Sequence, residues 1–139
     1  MSKASFTRKA KTPAISIDIK DSEGGLLKTV LFNPNDARGA KIFAEIIKKA
    51  SAIDGMVNNT APDQDMIITV VNILEAVFCD LDMIFGEGTT ELLTYGVIDE
   101  EAVESLKGFL DIVAPFYQEA AEARESRLRP YMTKAPKNE

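Results

Sequence analysis

Two glycines and three carboxylates stand close together near the middle of the chain, in Asp80-Leu81-Asp82-Met83-Ile84-Phe85-Gly86-Glu87-Gly88-Thr89-Thr90. A Gly-x-Gly pair just ahead of a helix N-terminus is the spacing with which backbone amides cradle a phosphate. Here no strand precedes the pair, no lysine follows in the loop, and Glu87 stands where a phosphate would be repelled. The pair reads instead as a tight corner between two helices. Asp80, Asp82 and Glu87 are oxygen donors of the kind a hard cation takes, but positions two apart on a helix point in divergent directions. They read as solvated charge between buried positions. No two carboxylates are set apart as an acid and base pair with split acidities. Cys79, the single cysteine, excludes an intramolecular disulfide, and its place in an apolar helical segment predicts a structural thiol.

The chain has no histidine, the usual general base near neutral pH and the commonest metal ligand, so His-based triads and zinc sites are excluded. Tryptophan is absent too, and the phenylalanines fall at helical spacings rather than forming a stacking platform for bases. The expectation is a non-enzymatic protein with no catalytic residue, cofactor or metal. Its 139 residues fit one domain, and 45% apolar with 27% charged residues is the composition of a folded core. No apolar run is long enough for a membrane span, and Met1-Ser2-Lys3-Ala4-Ser5-Phe6 lacks the apolar stretch of a signal peptide. Residence in the cytoplasm where it is made is therefore expected, with no membrane partner.

Charge is unevenly placed: residues 1–49 carry a net +5, residues 50–126 a net −14 and residues 127–139 a net +3. An acidic middle repels nucleic acid and attracts a basic or amphipathic protein segment, besides aiding solubility. Lys3, Arg8, Lys9 and Lys11 on a loose arm offer only weak, salt-sensitive contact with nucleic acid, so no nucleic-acid partner is expected.

The elements that position these residues follow from periodicity. Ile15, Ile17 and Ile19 alternate with Ser16 and Asp18 as in a strand with one buried face. Asp21-Ser22-Glu23-Gly24-Gly25 has turn chemistry and Leu26 to Phe32 resumes an extended pattern, predicting a β-hairpin. Asn33-Pro34-Asn35-Asp36 opens a helix from about Pro34 to Ala52, which Asp54-Gly55 closes, with a loop over Asn58 to Asp63. A second helix, Asp65 to Phe85, carries an unusually broad apolar stripe widened by Ile68 and Ile73. After the Gly86-Glu87-Gly88 corner, with Thr89 as a cap, a short helix spans Glu91 to Tyr95 and ends at Gly96. A last helix, capped by Asp99, runs from Glu100 to about Arg127 with a kink expected at Pro115. The reading is an α+β fold, mainly α, with an N-terminal β-hairpin followed by three longer helices and one short helix. Residues 1–12 form a disordered basic arm, 13–127 a single α+β domain and 128–139 a disordered tail. A lone hairpin is marginal in water, so its apolar face must lie on the helices or on a second subunit's hairpin.

With these elements in place, Leu74 to Thr89, and above all Phe85-Gly86-Glu87-Gly88-Thr89, resembles the small tail-assembly chaperones of long-tailed bacteriophages of Gram-positive hosts. The order of hairpin, helix, corner and long apolar helix is similar over roughly residues 14 to 125. Leu93-Thr94-Tyr95-Gly96-Val97-Ile98 stands where that family has a Phe-Gly-Gly-like turn, and only Gly96 keeps the turn character. The resemblance implies a host-cytoplasmic protein, absent from the finished virion, that coats the tape-measure protein while tail-tube subunits assemble around it. It also implies a longer product made by frameshifting. Two other readings fit the residues: a small acidic adaptor or regulator, and a phage structural subunit that assembles through its hairpin edge. On any of them the partner is a protein, and self-association through the hairpin is an added expectation. The apolar residues expected to meet a partner are Ile15, Ile17 and Ile19 on the hairpin, Met66, Val70, Phe78 and Met83 on the second long helix, and Phe109, Phe116 and Tyr117 on the last.

Overall fold

Alternating isoleucines, a proline-marked turn and two glycine breaks divide the described residues of the chain into six elements. A computed structural model describes residues 3–10, 14–59 and 63–133, with strands β1 (Ile15–Lys20) and β2 (Leu26–Phe32) followed by helices α1 (Ala37–Asn59), α2 (Gln64–Phe85), α3 (Thr89–Thr94) and α4 (Glu100–Thr133). This is the expected α+β fold, mainly α. Of the expected arm, residues 3–10 are exposed and outside regular elements. Residues 1–2 and 11–13, the loop residues 60–62 and the tail residues 134–139 lie outside the described residues.

The strands pair antiparallel, with Ile15 opposite Phe32, Ile17 opposite Val30 and Ile19 opposite Lys28. The Asp21 carboxylate closes the turn by accepting from the amides of Glu23 (2.9 Å) and Gly25 (2.8 Å). Side chains alternate across a pleat, so one face of the hairpin collects Ile15, Ile17, Ile19, Val30 and Phe32. Ile19, Val30 and Phe32 are buried, and Ile15 and Ile17 pack half-buried against the same core. The apolar face thus lies on the chain's own helices. The other face stays wet, where the Thr29 hydroxyl donates to Asp18 at 2.7 Å.

Several boundaries differ from the sequence expectation. α1 begins at Ala37 because Asp36, not Asn33, is its cap: the Asp36 carboxylate accepts from the Arg38 amide (3.0 Å), while Asn33 is spent on the Asn35 amide (3.0 Å). The helix continues through Asp54-Gly55 to Asn59, absorbing the first residues of the expected loop. Gly there costs only helix propensity, and Ile53 packing into the core outweighs it. α4 runs through Pro115 and six residues past Arg127 to Thr133, with Pro130 inside it, so residues 128–133 of the expected tail are helical. Cys79 is exposed, not a structural core thiol: the stripe of α2 passes through Leu74, Val77, Leu81 and Phe85, and Cys79 stands off it.

The core is organised by aromatic rings. Phe32 of β2 meets Phe85 of α2 edge-on at 5.3 Å, Phe116 of α4 edge-on at 5.9 Å and Tyr117 of α4 in a stack at 5.6 Å. Tyr117 stacks in turn on Phe43 of α1 at 4.4 Å, and Phe85 meets Phe109 of α4 at 5.0 Å. Each such pair adds about 0.5–1.5 kcal/mol beyond area burial. α1 and α2 are further joined by Lys49 and Asp80, whose charges meet at 2.6 Å.

Tyr117 carries a discord. Its hydroxyl is buried with no hydrogen-bond partner among the described residues, and loss of water together with the nearby Asp36 charge pushes its pKa up to about 12. The unfolded chain ionises this phenol near its ordinary value of 10.0 while the folded chain holds the proton. Above about pH 10 fewer protons are bound by the unfolded state, so stability does not change with the titration of Tyr117 below about pH 10 and falls as pH rises from there through about 12. Subtracting the ultraviolet phenolate titration of Tyr117→Phe from that of the natural chain isolates this late ionisation. The variant should also be as stable as the natural chain or more so, because an unpaired buried hydroxyl is removed. Truncation at the centre of the ring cluster acts oppositely. Phe32→Ala should cost about 3–5 kcal/mol in urea unfolding, whereas Leu31→Ala beside it, 61% exposed, should stay within about 0.5 kcal/mol.

Candidate functional site

The five corner residues Phe85, Gly86, Glu87, Gly88 and Thr89 do turn the chain between helices, and the geometry shows how. Gly86 has φ 106° and ψ 149°, a region essentially closed to other residues, and Gly88 is left-handed at φ 86°. Thr89 is not the cap expected of it. It is fully buried as the first residue of α3, its hydroxyl donating to the Gly86 carbonyl at 2.8 Å. The cap is Asp82, one turn back on α2. Its carboxylate accepts from the Thr90 amide (2.9 Å) and hydroxyl (3.1 Å), with the Gly88 amide at 3.4 Å. Asp82 is therefore half-buried structure, not the solvated charge expected from sequence. Lys28 completes the corner from the hairpin: its ammonium donates to Thr89 Oγ1 at 3.0 Å and to the Glu87 carbonyl at 3.3 Å. A cation there also complements the carbonyl end of α2.

The Asp82 carboxylate, the Lys28 ammonium and the hydroxyls of Thr89 and Thr90 are all engaged within the corner itself. Asp80 is paired with Lys49, and among the described residues no group of three His, Cys, Asp or Glu is placed to hold a metal ion.

The surface with room for a partner lies away from the corner. A groove of about 460 Å³ runs between the first half of α2, the end of α1 and the start of α4. Met66, Ile67, Val70 and Val71 form one wall, Ile98 and Val103 the other, and the buried Ile53 and Leu74 its floor. Among the described residues, Asp54, Asp99, Glu100 and Glu104 stand around it with a single cation, Lys107, which is itself paired with Asp54 at 2.9 Å. Asp99 also caps α4, accepting from the Ala102 amide at 2.8 Å. An apolar trough with an acidic rim fits one face of an amphipathic helix that carries basic flanks.

Of the residues expected to meet a partner, Met66 and Val70 are brought together in this groove. Ile19, Phe109 and Tyr117 are not surface residues: each is buried, and the last two belong to the ring cluster. Ile15, Ile17, Phe78 and Phe116 are half-buried against that core. Met83 is 69% exposed but lies near the corner, on a different face of α2 from the groove. Sequence reasoning did not assign Ile67, Ile98, Val103 or the acidic rim to a site. The available signal was the width of the α2 stripe, which exceeds what one core face needs, and Ile67 is indeed 55% exposed.

The corner geometry sets signs for glycine substitutions. Gly86→Ala should cost about 1–3 kcal/mol through backbone strain, and Asp82→Ala about 1–2 kcal/mol through the lost cap. Gly108→Ala, in the interior of α4 with nothing within 4 Å of the added methyl, should instead stabilise by about 0.5–1 kcal/mol. Urea unfolding of the three variants checks both signs.

Among the described residues no helix is long and apolar enough to cross a membrane. Comparison of the chain with protein-family models, curated proteins and solved structures finds no match.

Proposed function

We propose that this chain is a non-enzymatic tail-assembly chaperone acting in the host cytoplasm. It holds the tape-measure protein soluble while tail-tube subunits gather around it. The single observation that carries this reading is the apolar groove between α2 and α4 with its acidic rim, present in a chain whose sequence resembles that family at Phe85 to Thr89. A tape-measure protein is a long helical client whose apolar stripes aggregate when bare. A trough lined by Met66, Ile67 and Val70 masks such a stripe, and the unbranched methionine adapts to successive side chains along it. The carboxylates at the rim favour basic flanks and oppose binding to nucleic acid. Release needs no chemistry, only a competitor such as the tail-tube protein that binds the same client segments more tightly.

Co-expression tests the reading. The tape-measure protein should remain in the soluble fraction when made with the natural chain and pellet when made alone. Ile67→Asp, at a largely exposed groove position, should remove the protection while the variant itself stays folded by circular dichroism. A tape-measure protein equally soluble in all three cases would leave the chaperone without a function. Recovery of this chain in purified particles at high copy would make it a structural subunit.

A further inference from the structure

Charge is unevenly placed around the groove. Its α2 wall, Met66, Ile67, Val70 and Val71, is apolar throughout, and among the described residues every charged group that lines it comes from the end of α1 or the start of α4. Three of these are already engaged within the chain. Asp54 and Lys107 pair with each other at 2.9 Å, and the Asp99 carboxylate accepts from the Ala102 amide at 2.8 Å. Glu100 and Glu104 remain. Both are exposed, and among the described residues neither side chain makes an ion pair or a hydrogen bond. Four residues apart on one helix, they share a face at a separation of about 6 Å along the axis, with Val103 beside them in the same wall.

We infer that the groove selects, from a partner protein, an amphipathic helix with two basic residues one turn apart on one flank of its apolar stripe and none required on the other. The stripe enters between Met66, Ile67 and Val70 on one side and Ile98 and Val103 on the other, and the two cations face Glu100 and Glu104. A basic pair at i and i+4 has the same axial spacing as the two carboxylates, so a helix aligned with α4 brings both pairs into register. The opposite flank meets only the apolar wall of α2, where a cation finds no carboxylate among the lining residues. One-sided charge also fixes direction. Turning such a helix end for end, with its stripe still in the trough, moves the basic flank to the α2 side, so a bound segment lies along α4 in one sense only. Such selection rests on the proposed role of the groove as the client site. It adds which segments of a long helical client are held: those with a one-sided basic pair, and not every apolar stripe.

Fluorescence anisotropy with labelled synthetic helices tests this without the tape-measure protein. The probes are peptides of about 18 residues with one leucine stripe. They carry a Lys pair at i and i+4 on one flank, a Glu pair in the same places, or Lys pairs on both flanks. The natural chain should bind the one-flank Lys peptide about tenfold more tightly than the Glu peptide at low salt, and the ratio should shrink as salt is added. The two-flank Lys peptide should gain no more than about twofold, the statistical effect of a second allowed direction. Glu104→Lys should abolish the preference, and Glu100→Gln combined with Glu104→Lys should reverse it, with folding checked by circular dichroism. Glu119→Lys, at an exposed position about 22 Å further along α4, changes the net charge as Glu104→Lys does and should leave the preference intact. Equal binding of the Lys and Glu peptides, an equal response to Glu119→Lys, or a tenfold gain from the second flank overturns the inference. So does a natural chain that binds none of the peptides, as when a second copy or its own N-terminal arm fills the groove. Failure here with the tape-measure protein still protected in co-expression removes the selection and leaves the chaperone reading. The reverse result removes that reading and leaves a groove with this preference.

Discussion

Phe32 ties the hairpin to the helices. A two-stranded sheet has too little apolar area to persist alone in water, so β1 and β2 exist because their inner face is covered. The last residue of β2 puts its ring against Phe85, Phe116 and Tyr117, and through Tyr117 and Phe85 it reaches Phe43 and Phe109. One connected set of rings thereby joins β2, α1, α2 and α4. Within such a close-packed set, the angle at which α2 leaves the core is fixed, and the corner after Phe85 must be built to suit it. The corner meets that demand with Gly86 in a backbone region closed to other residues and Asp82 replacing the missing partners of the α3 amides. Lys28, two alternations before Phe32 on the same face of β2, pins it to the hairpin.

Much of this order was legible in the residues. The period of two in Ile15, Ile17 and Ile19, the glycine breaks, and the three-and-four spacing of the helical stripes each reflect a local rule, and the elements come in the order those rules give, with the ends of α1 and α4 displaced. What was not legible depended on distance in space. Asp82 reads as surface charge until α3 folds back over it. Lys28 reads as a strand cation until the corner arrives beside it. Cys79, by contrast, sits in a run so apolar that only the rotation of α2 about its axis shows it exposed. Periodicity establishes that a helix has an inner face but not which partner covers each part. That is why Phe109 and Tyr117, strong candidates for a partner by residue type, turn out to be covered by the chain itself.

The same limit explains the groove. Met66 was visible as a partner candidate and the α2 stripe as broad, widened by Ile68 and Ile73, but the second wall comes from Ile98 and Val103, some thirty residues on, and only the turn after α3 sets them opposite. The acidic middle of the chain is likewise a sequence fact whose meaning is spatial: Asp54, Asp99, Glu100 and Glu104 come from two helix ends and gather round one trough. The protein reads as a rigid aromatic core that holds an adaptable, acid-rimmed surface open at one end. The Gly-Glu-Gly corner serves that arrangement as a structural joint.

The central claim, that this groove is where the protein meets its client, is tested most directly by a photo-crosslinking amino acid placed at residue 67 or at residue 83 during co-expression with the tape-measure protein. Both positions are exposed, at 55% and 69%, and they lie on different faces of α2. Crosslinks from position 67 to helical segments of the tape-measure protein, with none from position 83, are the predicted result. Crosslinks from position 83 and not from position 67 would contradict it.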